Sequence, residues 1–248
     1  MMTPRLRMFA GPNGSGKSTI KDALPAQLLG VYINADDMEQ SIRRDGYLDL
    51  AAFSVDTSAD EILGFFLQSS FLASAGLLDG AGRLRFHGGR LHFEAVEVNS
   101  YFASVAGDFI RHKLLAAKTS CTFETVMSGP DKVAFLRKAQ QAGFRTYLYY
   151  VATEDPQINV SRVLHRVKVG GHPVPEDKII SRYYRSLELL LEAVSYSDKA
   201  YIFDNSGRQQ VQVAEVSDGE MLEMKTEQMP NWFKTALWDK FEVEDGEI

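Results

Sequence analysis

The chain has 248 residues, with apolar types at 45% and charged types at 24%, close to ordinary globular usage. That content can build a sizeable core and excludes a disordered, collagen-like or coiled-coil description of the whole. Lys and Arg number 27 against 33 Asp and Glu, a formal charge of −6 that repels phosphate backbones and disfavours a non-specific nucleic-acid binder.

In chain order, Arg5–Ala10 (RLRMFA) reads as a strand that runs into a Gly-rich turn and then a helix over Ser18–Leu29. Val31–Asn34 (VYIN) reads as a second strand, followed by two aspartates. Leu84–Phe93 alternates around Gly88-Gly89, which predicts a hairpin pairing Phe86 with Leu91 and Leu84 with Phe93. Tyr101, Val105, Phe109 and Lys113 keep helical spacing. Thr119–Glu124 (TSCTFE) is the third strand of the main series. Pro130 opens the helix after it and Gly143 closes that helix. Arg145–Ala152 is the fourth strand, after which Asp155 can cap and Pro156 can open a helix. Ile179, Tyr183, Leu187, Leu190/Leu191 and Val194 mark a longer helix, and Ala200–Asp204 (AYIFD) is the fifth strand. Beyond residue 207 come a hairpin (VQVAEV, SDGE, MLEMK) and a helix with Phe233, Leu237 and Phe241 four apart. The last ten residues hold five acids and one lysine, a solvated tail.

Five short apolar runs alternating with helices predict an α/β protein with a five-stranded, mainly parallel, doubly wound sheet and right-handed crossovers. Residues 1–248 read as a single domain with a helical lid at about 156–185. A small hairpin insertion lies at about 84–93, and a C-terminal hairpin, helix and tail at about 208–248. The single cysteine allows no intramolecular disulfide, no apolar run approaches the ~20 residues of a membrane span, and MMTPRLRMFAGPNG has no signal-peptide core. The expectation is a cytoplasmic protein without a membrane partner.

The strongest chemical signal is Gly11-Pro-Asn-Gly-Ser-Gly16-Lys17-Ser18-Thr19, a complete GxxxxGK[ST] between a strand and a helix. Glycines let backbone N–H groups turn inward around a polyphosphate, the lysine reaches the β/γ oxygens, and the Ser18 hydroxyl binds Mg²⁺. Gly11, Asn13, Gly14, Ser15, Gly16, Lys17, Ser18 and Thr19 are therefore the candidate nucleotide-binding set. The helix that follows turns its positive end toward the phosphates. The sequence shows neither an NKxD-like base reader nor an LSGGQ-type signature, which favours ATP over GTP and disfavours a transporter engine.

Asp36 and Asp37 follow the second strand, where ligand chemistry collects in doubly wound sheets. A carboxylate there can take the proton of an incoming hydroxyl. Asp37, nearer the helix, reads as the cap and Asp36 as the base. Glu124, at the end of the third strand, can orient Mg²⁺-bound water or the acceptor hydroxyl, or can be a strand-end acid satisfied by backbone N–H groups. Asp204 is a weaker candidate, and Asn205 reads as a turn residue.

Between residues 160 and 185 lie Arg162, Arg166, Lys168, Lys178, Arg182 and Arg185 against Glu176 and Asp177. Arg162 and Arg166 are four apart on one helical face and can meet one anion. Phosphoryl transfer needs such cations on the migrating group; a basic solvated face is the other reading. Gly170-Gly171, His172 and Pro173/Pro175 resemble a hinge between two helices. In the predicted hairpin Arg85 rather than His87 faces His92, which argues against a shared metal. Cys121 reads as an inert core thiol.

Taken together, AGPNGSGKST, VYINADD, FETVMSG, NVSRVLHRVKVGGHPVPEDKIISRYYRSLELL and AYIFDNSG resemble the zeta toxin family of P-loop kinases, over most of residues 5 to 207. Some relatives with the GGHxVP and RYxRSL elements are labelled predicted ABC-type ATPases, a label the missing signature argues against. The resemblance implies a core like that of nucleoside-monophosphate kinases and transfer of the ATP γ-phosphoryl group, with Mg²⁺, to a hydroxyl of UDP-N-acetylglucosamine. It also implies restraint by a separate antitoxin. By position, Lys17 and Ser18 match the nucleotide and Mg²⁺ residues, Asp36 the base, Glu124 the acidic strand end beside the substrate, and Arg162 the first lid arginine. The second lid arginine falls near His172, so Arg166 or Arg182 would replace it. Two other readings stand beside this one: an ATPase or nucleotide-controlled interaction module without acceptor, and a polynucleotide kinase.

Overall fold

The computed structural model describes residues 3–168 and 173–241. Its strands are β1 (Arg5–Ala10), β2 (Val31–Ile33), β3 (Tyr47–Asp49), β4 (Arg85–His87), β5 (Arg90–His92), β6 (Cys121–Thr125), β7 (Arg145–Ala152), β8 (Lys199–Asp204), β9 (Val211–Ser217) and β10 (Met221–Met224). Its α-helices are α1 (Lys17–Ala23), α2 (Ala26–Leu29), α3 (Ala35–Asp45), α4 (Ala59–Leu67), α5 (Ser70–Ser74), α6 (Leu78–Arg83), α7 (Ser100–Ala116), α8 (Pro130–Gln141), α9 (Pro156–Lys168), α10 (Glu176–Glu188), α11 (Leu190–Ser195) and α12 (Asn231–Ala236). All five expected main strands are present. The Gly170-Gly171 and His172 hinge and the tail from residue 242 lie outside the described residues. Among those described, no helix is long and apolar enough to cross a membrane.

The chain divides into two compact units, Met1–Leu28 with Glu124–Ile248, and Leu29–Phe123. In the first, strands run in the order β10-β9-β8-β7-β1. β1 pairs parallel with β7 and β7 with β8, whereas β9 and β10 extend the sheet antiparallel. The C-terminal hairpin foreseen in the sequence is thus part of this sheet. β1 and β7 are covered on both faces, as strands of a parallel sheet are: Leu6, Met8, Phe9, Leu148, Tyr150 and Val151 are buried. Phe9, Tyr149 and Tyr201 stack across neighbouring strands, with ring centroids 4.7 and 5.0 Å apart. Asp198 ties the start of β7 to the approach to β8, its Oδ2 accepting from the Thr146 amide at 2.6 Å and hydroxyl at 2.7 Å. α9 and α10 bury Val160, Val163 and Ile179 against one another.

The helix expected over Ser18–Leu29 is a correction. It breaks after Ala23 because Leu24, preceding Pro25, is extended at ψ 140°. A proline ring crowds the residue before it out of the helical region.

In the second unit β2 pairs parallel with β6, Val31 opposite Cys121 and Ile33 opposite Phe123. Phe102, Val105, Phe109, Ile110 and Leu114 of α7 are buried. The expected hairpin forms with Phe86 opposite Leu91 and Arg85 opposite His92. Its Gly88-Gly89 turn has φ of +58° and +74°, the positive pair that a two-residue primed turn requires. β3 adds to its other side, Leu48 opposite Leu91, to give a three-stranded sheet in the order β3-β5-β4.

Candidate functional site

The glycine-rich loop leaves β1 at Gly11 and enters α1 at Lys17. Gly11 has φ +137°, and a Cβ there would lie 2.0 Å from the Val151 carbonyl oxygen of β7. The Lys17 ammonium is folded over the loop and donates to the Gly11 carbonyl at 2.7 Å and the Pro12 carbonyl at 3.0 Å. Ser15 is buried, and its hydroxyl and the Asn13 Oδ1 are buried without a hydrogen-bond partner. Buried polar groups usually find partners. Two such groups within three residues mark a loop shaped for a polar guest. Thr19 is exposed on α1.

Ser18 and Glu124, 106 positions apart, come together: the Ser18 hydroxyl donates to Glu124 Oε2 at 3.4 Å. A hydroxyl and a carboxylate are hard oxygen donors of the kind Mg²⁺ takes in small number, with phosphate oxygens and water completing its octahedron. The pair fits the ion. Arg162 is half-buried on α9; its Nη2 donates to the Gly207 carbonyl at 3.5 Å, and its Nη1 is buried without a hydrogen-bond partner. Arg166, one turn further, is exposed, and Arg182 on α10 is half-buried.

The first two turns of α9 wall the loop. A Cβ on Gly14 would meet the Asn159 carbonyl at 2.8 Å and the Val163 side chain at 3.2 Å. At the end of β7, Tyr183 of α10 donates to the Thr153 carbonyl at 2.6 Å. Burial pushes that phenol above its ordinary pKa, and burial does the same for Tyr150 beside Ser186.

Asp36 belongs to the second unit. Asn34, not Asp37, is the N-cap of α3: its Oδ1 accepts from the amides of Asp36 at 2.9 Å and Asp37 at 3.4 Å. The helix opens at Ala35, so both aspartates already sit inside its first turn, where their charge favours the helix N-terminus. Both are exposed. Beside them a cavity of about 320 Å³ is lined by Tyr32, Tyr47 and Phe53 and by the carboxylates of Asp37, Asp45 and Asp49.

The lesser candidates resolve as follows. His87 and His92 are not cross-strand partners, yet their rings stack at 3.9 Å. Among the described residues no group of three or more His, Cys, Asp or Glu side chains is arranged to hold a metal ion. Cys121 is buried, and burial pushes its thiol up to about 12. Asp204 is engaged structurally, accepting from the Trp232 indole at 2.8 Å and the Ser206 hydroxyl at 2.7 Å. Asn159 and Asn205 were missed as site residues. Both contact the loop, and although both fall inside the family-like runs, no spacing rule singles them out.

Residues 92–212 match the family model described as Zeta toxin. Over 60 residues the chain is 35% identical to an uncharacterized Haemophilus influenzae protein, a match covering 24% of this chain and 43% of that one. Among solved structures, the AvrRxo1-ORF1:AvrRxo1-ORF2 complex with sulphate ions is similar at TM-score 0.53 and 14% identity, covering 99% of this chain and 66% of that one. The corresponding complex with ATP gives 0.52 at 13% identity. A structure from the PezAT chromosomal toxin-antitoxin system of Streptococcus pneumoniae gives 0.50 at 14% identity, covering 96% of this chain and 80% of that one. The chain therefore spans less than two thirds of the Haemophilus influenzae protein and of the AvrRxo1 chain, and likeness at such identities speaks to fold. Residues 92–212, just under half of the chain, are thus similar to the Zeta toxin family, and the mainly parallel α/β fold is similar to that of the PezAT structure.

Proposed function

We propose that this protein is an ATP-dependent phosphotransferase acting on a hydroxyl of a small molecule, most specifically a UDP-N-acetylamino sugar such as UDP-N-acetylglucosamine, and restrained by an antitoxin protein. The observation that carries the reading is the shaped loop with the Lys17 ammonium over its carbonyls and the Ser18–Glu124 pair beside it. One structural neighbour was solved with ATP, and another comes from a toxin-antitoxin system, which supports the nucleotide and the partner.

In this reading the backbone amides of Gly14–Lys17 cradle the triphosphate and Lys17 draws toward its β and γ oxygens. Ser18 and Glu124 would hold a Mg²⁺, which would supply charge neutralisation for the transferring phosphates. Asp36 accepts the proton of the acceptor hydroxyl as its oxygen bonds to the γ-phosphorus and the bond to the β-phosphate oxygen breaks. Arg162, with Arg166, meets the equatorial oxygens of the migrating group. The acidic cavity of the second unit favours a small-molecule acceptor over a polynucleotide, since three carboxylates repel a long phosphate backbone.

The deciding experiment offers γ-labelled ATP together with UDP-sugars, nucleosides and oligonucleotides. Label in the UDP-amino sugar is the expected result. Hydrolysis with no labelled acceptor would replace the kinase by an ATPase module, and labelled oligonucleotide would make it a polynucleotide kinase. Growth arrest on expression, abolished by Lys17→Ala, tests the toxin reading separately.

A further inference from the structure

Two asparagines outside the GxxxxGK[ST] motif grip the loop from behind. Asn159, in the first turn of α9, is fully buried; its Nδ2 donates to the Asn13 carbonyl at 2.7 Å while its Oδ1 accepts from the Thr153 hydroxyl. Asn205, just past β8, is anchored by its own amide, which donates to the Ala152 carbonyl at 2.9 Å. Its Nδ2 donates to the Ser15 carbonyl at 2.7 Å. Alternate carbonyls of the loop are thus each turned onto a side-chain donor. In a planar trans peptide the C=O and the following N–H point in opposite directions. Fixing the carbonyls of Asn13 and Ser15 therefore fixes the N–H groups of Gly14 and Gly16 on the other side. The contact is close: a Cβ on Gly16 would lie 2.2 Å from Asn205 Nδ2, as one on Gly14 would meet the Asn159 backbone.

We infer that Asn159 and Asn205 are positioning residues that set the peptide planes of the loop so that its amides face a polyphosphate. Asn159 also ties the shape of the loop to Arg162, three residues along the same helix. The inference rests on the nucleotide-binding part of the proposed function. It adds two residues to that site and makes the start of α9 a fixed wall of the loop.

The test is ATP binding by calorimetry to the parent chain, Asn205→Ala and Asn205→Asp, with thermal melting without nucleotide and amide exchange over residues 11–17. Asn205 is half-buried, which makes it the safer position. Asn159→Ser serves as the second site if an Asn205 variant fails to fold. Both Asn205 variants are expected to weaken ATP binding by about tenfold or more, the effect of losing one well-placed hydrogen bond in an ordered loop. Exchange should rise within the loop, and the melting point should fall by only about 2–4 °C. Asn205→Asp keeps the shape and loses the donor, so ATP affinity within about twofold of the parent for that variant would overturn the inference, as would unchanged affinity for Asn205→Ala. A parent chain that binds no ATP would instead sink the nucleotide reading beneath it.

Discussion

Gly11→Ala isolates how tightly the loop is built into the sheet. Gly11 follows β1 directly, and Ala10 is in register with Tyr150 of β7, so the next residue of β7, Val151, faces the start of the loop. An added Cβ would stand 2.0 Å from the Val151 carbonyl oxygen and 3.1 Å from the Ser15 hydroxyl, at φ +137°. The first contact is with backbone of a buried strand, so it cannot be relieved by turning a side chain. Backbone strain of about 1–3 kcal/mol adds to overpacking of about 1–3 kcal/mol, a destabilisation of roughly 2–6 kcal/mol. In a chain of this size that is roughly 4–24 °C in melting temperature. Gly143→Ala is the control: φ is +80° with nothing within 4 Å of the added carbon, so only the left-handed cost of about 1–2 kcal/mol applies. Scanning calorimetry on the two variants is the assay. Should Gly11→Ala melt no lower than Gly143→Ala, the close approach to β7 is not a constraint and the reasoning fails.

Arg162→Ala is expected to lower turnover by about 10³-fold, the scale of an arginine stabilising a migrating phosphoryl group, while ATP affinity measured by calorimetry stays close to that of the parent; full activity would remove Arg162 from the mechanism. Asn34→Ala removes the cap of α3 and should cost about 1 kcal/mol in urea unfolding, most of it restored by Asn34→Ser; an unchanged midpoint would refute the cap. Cys121 should resist iodoacetamide in the native protein at neutral pH and react fully in denaturant, because its thiol is pushed up to about 12 by burial. The sign of the linked pH effect follows. Between the ordinary thiol value near 9.0 and about 12 the unfolded chain releases a proton that the folded chain keeps. The stability of the parent relative to Cys121→Ala should therefore be flat below pH 8 and fall by about 1.4 kcal/mol per pH unit across that window. A difference that stays constant up to pH 11 would refute the burial argument.

What the sequence alone determined is what short-range physics encodes. The loop announces itself because its function needs glycines, a lysine and a hydroxyl at fixed chain spacing. The five main strands show as apolar runs between helical patterns, and the register of the 84–93 hairpin follows from alternation about a Gly-Gly turn. The identity of the cap at α3 was not legible, because three polar residues within four positions, Asn34, Asp36 and Asp37, differ only in which has the extended backbone: Asn34 does, at φ −131° and ψ 118°. The break at Leu24 was written in Pro25 and overridden by the apolar pattern. The pairing of β3 with β5 and of β9 with β8 depends on which edges are left open once the other strands have docked. The grip of Asn159 and Asn205 on the loop joins residues 146 and 190 positions apart. No local periodicity carries such a pair, since an asparagine in a helix and one in a turn look alike until the folded chain brings a carbonyl to each.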